Sequence, residues 1–169
     1  MKEIGASRRV DELGRIVIPK SIRTRYKIRQ GDVFEIFVED NKIVLQKEEI
    51  IDELCNTLYS LLSVMANTLK IDIVITDTDK CIYSSDKLKS YINKEISSDI
   101  IDMILNRKKM KLENYLFFGE YCNILMQPII IRGDVVGSVI FIIKNSKITD
   151  ILELMSNFIR ELFVNKLEV

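Results

Sequence analysis

The chain has 169 residues, of which 47% are hydrophobic and 30% are charged, so it can form one or two cores and is not of disordered composition. It contains no histidine, which excludes His-based acid–base catalysis and His metal ligands, and its three cysteines are too widely spaced for a disulfide framework. No signal peptide is visible, and no apolar run approaches the roughly 18 residues of a membrane span. We therefore expect a cytoplasmic protein that is not an enzyme and needs no cofactor or bound metal.

The charges are distributed unevenly along the chain. Basic and acidic side chains number 25 each in total, but residues 1–30 hold nine basic and three acidic ones, a local balance of +6. The remaining residues therefore carry a balance of −6. This asymmetry favours an N-terminal part that meets a polyanion and a C-terminal part that does not.

The first predicted elements are two short strands around a turn. One strand ends at Val10, residues 11–14 (Asp-Glu-Leu-Gly) predict the turn, and residues 15–18 predict a second, β-branched strand. Pro19 suits the first position of a helix, where its missing N–H is not needed. This helix must be brief, because the chain turns again at Gly31.

A second hairpin follows, with predicted strands over residues 32–38 and 43–47. The hairpin contains no arginine, and its expected role is packing and dimer formation. Its apolar side chains are the expected core residues: Phe34, Ile36, Val38, Ile43 and Leu45.

From residue 50 onward the apolar period becomes helical. Apolar residues recur at steps of three and four, which predicts an amphipathic helix over 50–69. Two interpretations stay open for this helix: it extends dimerisation into the C-terminal part, or it is an ordinary core helix.

The remainder of the chain is predicted to be α+β. Strands are expected over 71–76 and 81–84, a helix after Ser98, long strands over 121–131 and 135–144, and a last helix over 149–167. Between the middle helix and the long strands lies a polar stretch that ends at Asn114. Four aromatic residues either line a small-molecule cavity or belong to the core: Tyr115, Phe117, Phe118 and Tyr121.

Residues 8–36 resemble the DNA-binding domain of the AbrB family of transition-state regulators. The matching positions are Arg8-Arg9, Asp11 to Lys20, Ile22-Arg23, Ile28-Arg29, Gly31-Asp32 and Glu35-Ile36. The resemblance implies a swapped-hairpin β-barrel formed by two chains, an obligate homodimer, and double-stranded DNA as the partner.

The same resemblance, together with the chemistry of guanidinium groups toward phosphate and guanine, implies the DNA-binding residues. They are Arg8, Arg9, Arg15, Lys20, Arg23 and Arg25. Related sequences carry two adjacent arginines where this chain has Arg23-Thr24-Arg25. One residue rotates a helical side chain by about 100°, so Arg25 does not inherit the second role unchanged. Asp11 and Glu12 are expected to pair with and orient arginines such as Arg9 or Arg15.

The C-terminal part resembles a small GAF domain in its element order, with a local match at Pro128, Gly133 and Gly137. The combination resembles the SpoVT family of sporulation regulators. It implies an AbrB-like DNA-binding and dimerisation domain over 1–49 and a GAF-like domain over 50–169, with 50–69 as the connecting helix. It also implies a homodimer or homotetramer and an unidentified small-molecule ligand of the GAF-like domain. The alternative function is an antitoxin of a toxin–antitoxin pair with an AbrB-like head.

Overall fold

The computed structural model describes residues 7–30, 32–48, 50–131, 133–143 and 149–167. The chain divides into two compact units, Met1–Glu48 and Glu49–Val169, which we call the N-terminal unit and the C-terminal unit. Gly31, which the sequence places in a turn, lies outside the described residues.

The N-terminal unit contains a short helix and a hairpin. Its elements are α1 (Lys20–Arg25), β1 (Phe34–Glu39) and β2 (Lys42–Lys47). The two strands pair antiparallel around a two-residue turn in which Asp40 and Asn41 have positive φ values of 44° and 63°. Such a turn matches the twist of the strands, and Asp and Asn tolerate this backbone region better than most residues.

The strands predicted to end at Val10 and to span 15–18 are not formed within one chain. Among the described residues, neither segment takes part in a sheet, and a single backbone hydrogen bond, from Asp11 N to Arg15 O, joins them. A strand needs a ladder partner, and the segments provide none for each other beyond this bond. Pro19 also differs from the prediction, since it is the N-cap of α1 (φ −60°, ψ 148°) and not its first residue.

The apolar face of the hairpin is exposed. Phe34, Ile36, Val38, Ile43 and Leu45 share this face, on which Ile36 pairs with Leu45 and Val38 with Ile43. Ile36, Val38 and Ile43 are 70%, 76% and 71% exposed. A single chain does not bury these residues, because a two-stranded sheet offers no second layer to cover them. Their assignment to a core that two chains share stays a prediction.

The C-terminal unit combines helices with a β-sheet, and the helix predicted over 50–69 is confirmed in it. The elements of the C-terminal unit are α2 (Ile50–Leu69), β3 (Asp72–Thr76), β4 (Cys81–Ser84), a 3-10 helix (Asp86–Tyr91), α3 (Ser98–Leu105), β5 (Met110–Phe117), β6 (Glu120–Ile131), β7 (Asp134–Ile143) and α4 (Thr149–Leu167). Among the described residues, no helix combines the length and apolar character needed to cross a bilayer.

The five strands form one antiparallel sheet in the order β4-β3-β7-β6-β5. Successive side chains of a strand point to opposite faces, so Ile73 and Ile75 face one layer and Val74 faces the other. Helices α2 and α4 pack on the face of the sheet that carries Ile73, and α3 packs on the face that carries Val74.

Two polar arrangements lie within this core. The Thr76 and Ser138 hydroxyls are 2.9 Å apart in the buried region between β3 and β7. The Gln127 side chain of β6 accepts a hydrogen bond from the Ser156 hydroxyl and donates one of 2.9 Å to Asn157 Oδ1, both on α4. These bonds satisfy polar groups that would otherwise be buried without partners.

Candidate nucleic-acid interface

The turn predicted at residues 11–14 is present. The Gly14 amide donates to the Asp11 carbonyl at 3.0 Å, and the Asp11 amide donates to the Arg15 carbonyl at 3.0 Å. Gly14 has a φ of +77°, a region that residues with a Cβ rarely adopt, and the space around it is open. The glycine is therefore needed for the backbone path, which places Arg15 opposite Asp11.

Arg15 is paired with Asp11 and not with Glu12. Its Nε donates to Asp11 Oδ2 at 2.7 Å, and its backbone amide donates to Asp11 Oδ1 at 2.8 Å. These two bonds, the backbone one first, lower the pKa of Asp11 below its usual range. Glu12 makes no ion pair among the described residues.

The segment before the turn presents two exposed guanidinium groups. Arg8 donates from Nη1 to the carbonyl of Ser7 at 2.9 Å. Arg9 makes no ion pair within the described part of the chain, so the expected pairing of Arg9 with an acidic neighbour is not formed.

Helix α1 positions Lys20 and Arg23. The helix starts from Pro19, whose carbonyl accepts the Arg23 amide at 2.9 Å. Lys20 and Arg23 are three residues apart, which places them on one side of the helix, and both are exposed. Ile22 is half-buried on a different side of the helix.

Arg25 is separated from the Arg23 side of the helix. Two residues along an α-helix correspond to about 200° of rotation. The Arg25 guanidinium carbon instead lies 5.8 Å from the centroid of the Tyr26 ring, in cation–π geometry. Sequence reasoning did not assign Tyr26 a role, although an aromatic residue directly after the displaced arginine was the available signal.

An apolar groove of about 500 Å³ lies beside these basic residues in the N-terminal unit. Ile16 and Val17 from the unpaired segment contribute to it and are 56% and 67% exposed. Its lining residues are Arg8, Ile16, Val17, Ile18, Pro19, Ile22, Tyr26, Ile28, Phe34, Leu45 and Lys47. This much exposed apolar surface in a small unit marks an interaction face.

The C-terminal unit contains a separate cavity of about 600 Å³. Of the four aromatic residues proposed from the sequence, Phe117, Phe118 and Tyr121 line it. Tyr115 does not, and its hydroxyl instead bonds to the Asp99 carboxylate and to the Ser97 hydroxyl. The cavity wall also includes the carboxylate-bearing Asp72 and Glu120 and the amine-bearing Lys87: its chemistry is mixed.

The three thiols are not activated. Burial raises the pKa of Cys81 to about 12, and it raises the pKa values of Cys55 and Cys122 above their usual range. All three are therefore protonated at neutral pH, and Cys55 and Cys81 are buried among apolar residues. In the described residues, no cluster of Cys, Asp and Glu side chains is arranged to hold a metal ion.

Both units match known protein families. The family described as stage V sporulation protein T C-terminal, transcription factor, matches residues 53–162. The family described as antidote-toxin recognition MazE, bacterial antitoxin, matches residues 7–51.

Two relatives from Bacillus subtilis (strain 168) extend these matches. Transition state regulatory protein AbrB is 51% identical over 47 residues, which cover 28% of this chain and 49% of that protein, so the N-terminal unit is AbrB-like. Stage V sporulation protein T is 32% identical over 161 residues, which cover 89% of this chain and 90% of that protein. With both units matched in one continuous alignment, the chain belongs to the stage V sporulation protein T family of transcription factors.

Proposed function

We propose that this protein regulates transcription by binding double-stranded DNA through the basic side chains of residues 8–25. The observation that carries the proposal is the exposure of these side chains on one turn, its flanks and one short helix. Arg9, Lys20 and Arg23 have no acidic partner among the described residues, so their charges are available to a polyanion. The relatives named as a transition state regulator and a sporulation protein support the same function.

The proposed contacts differ in kind. Arg8, Arg9, Arg15 and Arg23 can each present two parallel donors to a phosphate or to the acceptor edge of guanine. Lys20 acts as a point charge toward phosphate. Arg25 is proposed to make a separate contact, because its guanidinium lies over Tyr26 and away from the Arg23 side of α1.

The DNA-binding form is proposed to be a swapped-hairpin dimer. Residues 7–10 and 15–18 have no strand partner among the described residues of one chain, and the apolar face of the hairpin is exposed. In this dimer a second copy provides both missing features: its residues 7–10 and 15–18 pair with those of the first copy, and its apolar surface covers the groove. Burying this surface is favourable at roughly 25 cal/mol per Å² of apolar area.

The C-terminal unit is proposed to be a GAF-like domain that promotes tetramer formation. Val64 on α2 and Leu154 and Phe158 on α4 are large apolar side chains that stay 62%, 71% and 51% exposed. A helix whose apolar residues extend beyond its buried face can pack against its own core on one side and against a partner on the other. The mixed cavity at Phe117 and Phe118 is the proposed place for a small-molecule ligand.

An antitoxin role is the second candidate, because the family matched by residues 7–51 is described as an antitoxin. Antitoxins of this kind use a short toxin-wrapping tail, whereas residues 72–143 form a five-stranded sheet with a buried core. Transcription regulation is therefore the better-supported function. Purification of the tagged chain from its native host, with a small stoichiometric protein partner, would favour the antitoxin instead.

The salt dependence of DNA binding tests the proposal. A dimer that neutralises roughly eight phosphates should lose about 10³- to 10⁵-fold in affinity between 50 and 200 mM salt. Replacing Arg23 by Gln removes one contact per chain and should lower the slope of log Kd against log salt by about 2 for the dimer. Fluorescence anisotropy with a labelled duplex measures both quantities.

Lys42→Gln is the matched control, since Lys42 is an exposed cation of the same unit that lies on β2, outside residues 8–25. Its slope should stay close to that of the unsubstituted chain. A flat salt dependence, or equal slopes for the Arg23 and Lys42 variants, would contradict the proposed interface.

A further inference from the structure

Helix α1 ends in a Schellman motif in which Lys27 is the residue that turns the backbone. The Ile28 amide donates to the Arg23 carbonyl at 2.8 Å, and the Lys27 amide donates to the Thr24 carbonyl at 3.4 Å. Lys27 has a φ of 51°, in the left-handed backbone region where glycine is favoured and a residue with a Cβ is strained. The lysine therefore lowers the stability of this helix end relative to glycine.

The charge of Lys27 is not needed to complement the dipole of its helix. A cation near a helix C-terminus is stabilising, and α1 already carries Arg23 and Arg25 in its last turn. The left-handed residues that follow α2 and α3 are also basic, namely Lys70 (φ 54°) and Arg107 (φ 58°). The last turns of α2 and α3, both within the described residues, contain no other basic residue. The helix dipole thus explains Lys70 and Arg107 but not Lys27.

The position of Lys27 along α1 indicates a different role. Lys27 follows Arg23 by four residues and Lys20 by seven, so its Cα continues the side of the helix that carries these two exposed cations. Like charges four residues apart destabilise a helix. The residues of α1 and its C-cap that line the apolar groove are Ile22 and Tyr26, which belong to a different side. A polyanion bound along the row of cations would offset their mutual repulsion.

We propose that Lys27 is a further DNA-binding residue, whose ammonium group contacts a backbone phosphate next to those bound by Lys20 and Arg23. The proposal rests on the proposed function and extends the interface beyond residues 8–25. Lysine binds phosphate as a point charge on a flexible stem, and a phosphate contact carries no sequence information. Lys27 therefore adds affinity that is electrostatic and equal for every duplex, while its backbone conformation lowers the stability of the free protein.

Replacing Lys27 by Gly tests both parts of the proposal, because it removes the charge and the backbone strain together. Lys27→Gly is expected to raise the urea midpoint of the full chain, since glycine adopts the left-handed region without strain. It is also expected to weaken DNA binding and to lower the slope of log Kd against log salt by about 2 for the dimer. Its deficit in affinity should therefore shrink about tenfold between 50 and 200 mM salt. Urea unfolding at one protein concentration and fluorescence anisotropy with two labelled duplexes of unrelated sequence measure these quantities.

Two control variants separate charge from backbone conformation. Lys70 also follows a helix whose end is closed by such a bond, from the Ile71 amide to the Ala66 carbonyl at 3.1 Å, but it lies in the C-terminal unit. Lys70→Gly should therefore keep the salt slope of the unsubstituted chain. Lys27→Arg keeps the charge and the backbone conformation, so it should retain both the slope and the urea midpoint. Lys27→Asn, which is neutral and tolerates the left-handed region, replaces Lys27→Gly if that variant does not fold.

An unchanged salt slope in Lys27→Gly, or a reduced slope in Lys27→Arg, would overturn the proposal. A lower urea midpoint in Lys27→Gly would overturn it as well, because Lys27 would then be a structural cap of α1. A loss confined to one of the two duplexes would indicate a base contact and contradict the phosphate contact. Each of these results leaves the proposed function intact, provided that the unsubstituted chain binds DNA. An unsubstituted chain that binds neither duplex would instead overturn the proposed function itself.

Discussion

Gly137 sits where β7 passes the end of β3 at a distance that no side chain fits. A Cβ at this position would lie 2.0 Å from the Thr76 carbonyl oxygen and 3.0 Å from its carbonyl carbon. These are backbone atoms of a buried strand, so they cannot move aside as a flexible side chain would. The hydroxyl pair of Thr76 and Ser138 lies next to this close approach, because the two residues are directly opposite each other on β3 and β7.

Gly137→Ala is therefore expected to destabilise the protein by about 3 kcal/mol, at the upper end of overpacking costs. Gly119→Ala is the matched control, since Gly119 has a φ of +87° but nothing within 4 Å of an added Cβ. It should lose only about 1 kcal/mol, from backbone strain. Urea unfolding of both variants at one protein concentration measures the difference, and equal midpoints would contradict the close approach of β3 and β7.

At the residue scale, the sequence identified the basic side chains and named Asp11 and Glu12 as partners of Arg9 or Arg15, and the structure forms the Asp11–Arg15 pair. The displacement of Arg25 was predictable, because helical rotation between Arg23 and Arg25 follows from residue spacing alone. The choice of Asp11 over Glu12 as the partner of Arg15 was not predictable, since it depends on the backbone path that Gly14 permits. Tyr26 was missed for a similar reason. It is the C-cap of α1, and its cation–π contact with Arg25 depends on where the helix ends.

The β1–β2 hairpin shows at the element scale why one chain is not enough. Its pairing and turn are complete, but its apolar face at Ile36, Val38 and Ile43 stays exposed. In the proposed dimer this face is covered by the second copy. Charge placed on it should therefore prevent association without disturbing the hairpin itself.

Val38→Lys combined with Ile43→Lys is expected to give a monomer that binds DNA more than about 100-fold more weakly, because the two half-sites no longer act together. The added lysines favour DNA electrostatically, so a loss of affinity must come from lost association. Gln46→Lys adds charge on the opposite face of the same hairpin and should stay dimeric. Analytical ultracentrifugation with anisotropy checks both, and a dimeric double variant would contradict the proposed barrel.

Elements were predictable where their stabilising contacts are local or strongly periodic. The 20 residues of α2 repeat an apolar stripe over several turns, so its bounds follow from the sequence. The strands predicted at residues 7–10 and 15–18 have no partner among the described residues of one chain, and in the proposed dimer the second copy supplies it. The start of β5 at Met110 was missed because an edge strand with mostly exposed side chains shows a weak apolar pattern.

At the scale of the whole molecule, α4 has an apolar outer face in addition to its buried one. Ile159 and Phe163 are fully buried against the sheet, whereas Leu154 and Phe158 are 71% and 51% exposed. Gln127 bonds to Ser156 and Asn157 and so fixes which face of α4 points outward. This fixed outer face is the proposed contact between dimers.

Leu154→Lys combined with Phe158→Lys should convert a tetramer, four times the 19.7 kDa chain, into a dimer. Affinity for a duplex with one binding site should be retained, because residues 8–25 are unchanged. Light scattering coupled to size-exclusion chromatography measures the mass. The Val38→Lys/Ile43→Lys variant is the reference for loss of the contact within the swapped-hairpin dimer. An unsubstituted chain that is already dimeric at micromolar concentration would contradict the tetramer.

The unpaired segments at residues 7–10 and 15–18 have a genetic consequence. In the proposed dimer each chain completes the sheet of its partner, so the functional unit is a pair of polypeptides. A variant chain that still pairs but cannot bind DNA would form inactive mixed dimers with intact chains, and its effect would therefore be dominant. Where a cell expresses several AbrB-like chains, exchange of these segments would also generate mixed regulators whose abundance depends on the ratio of the parent proteins.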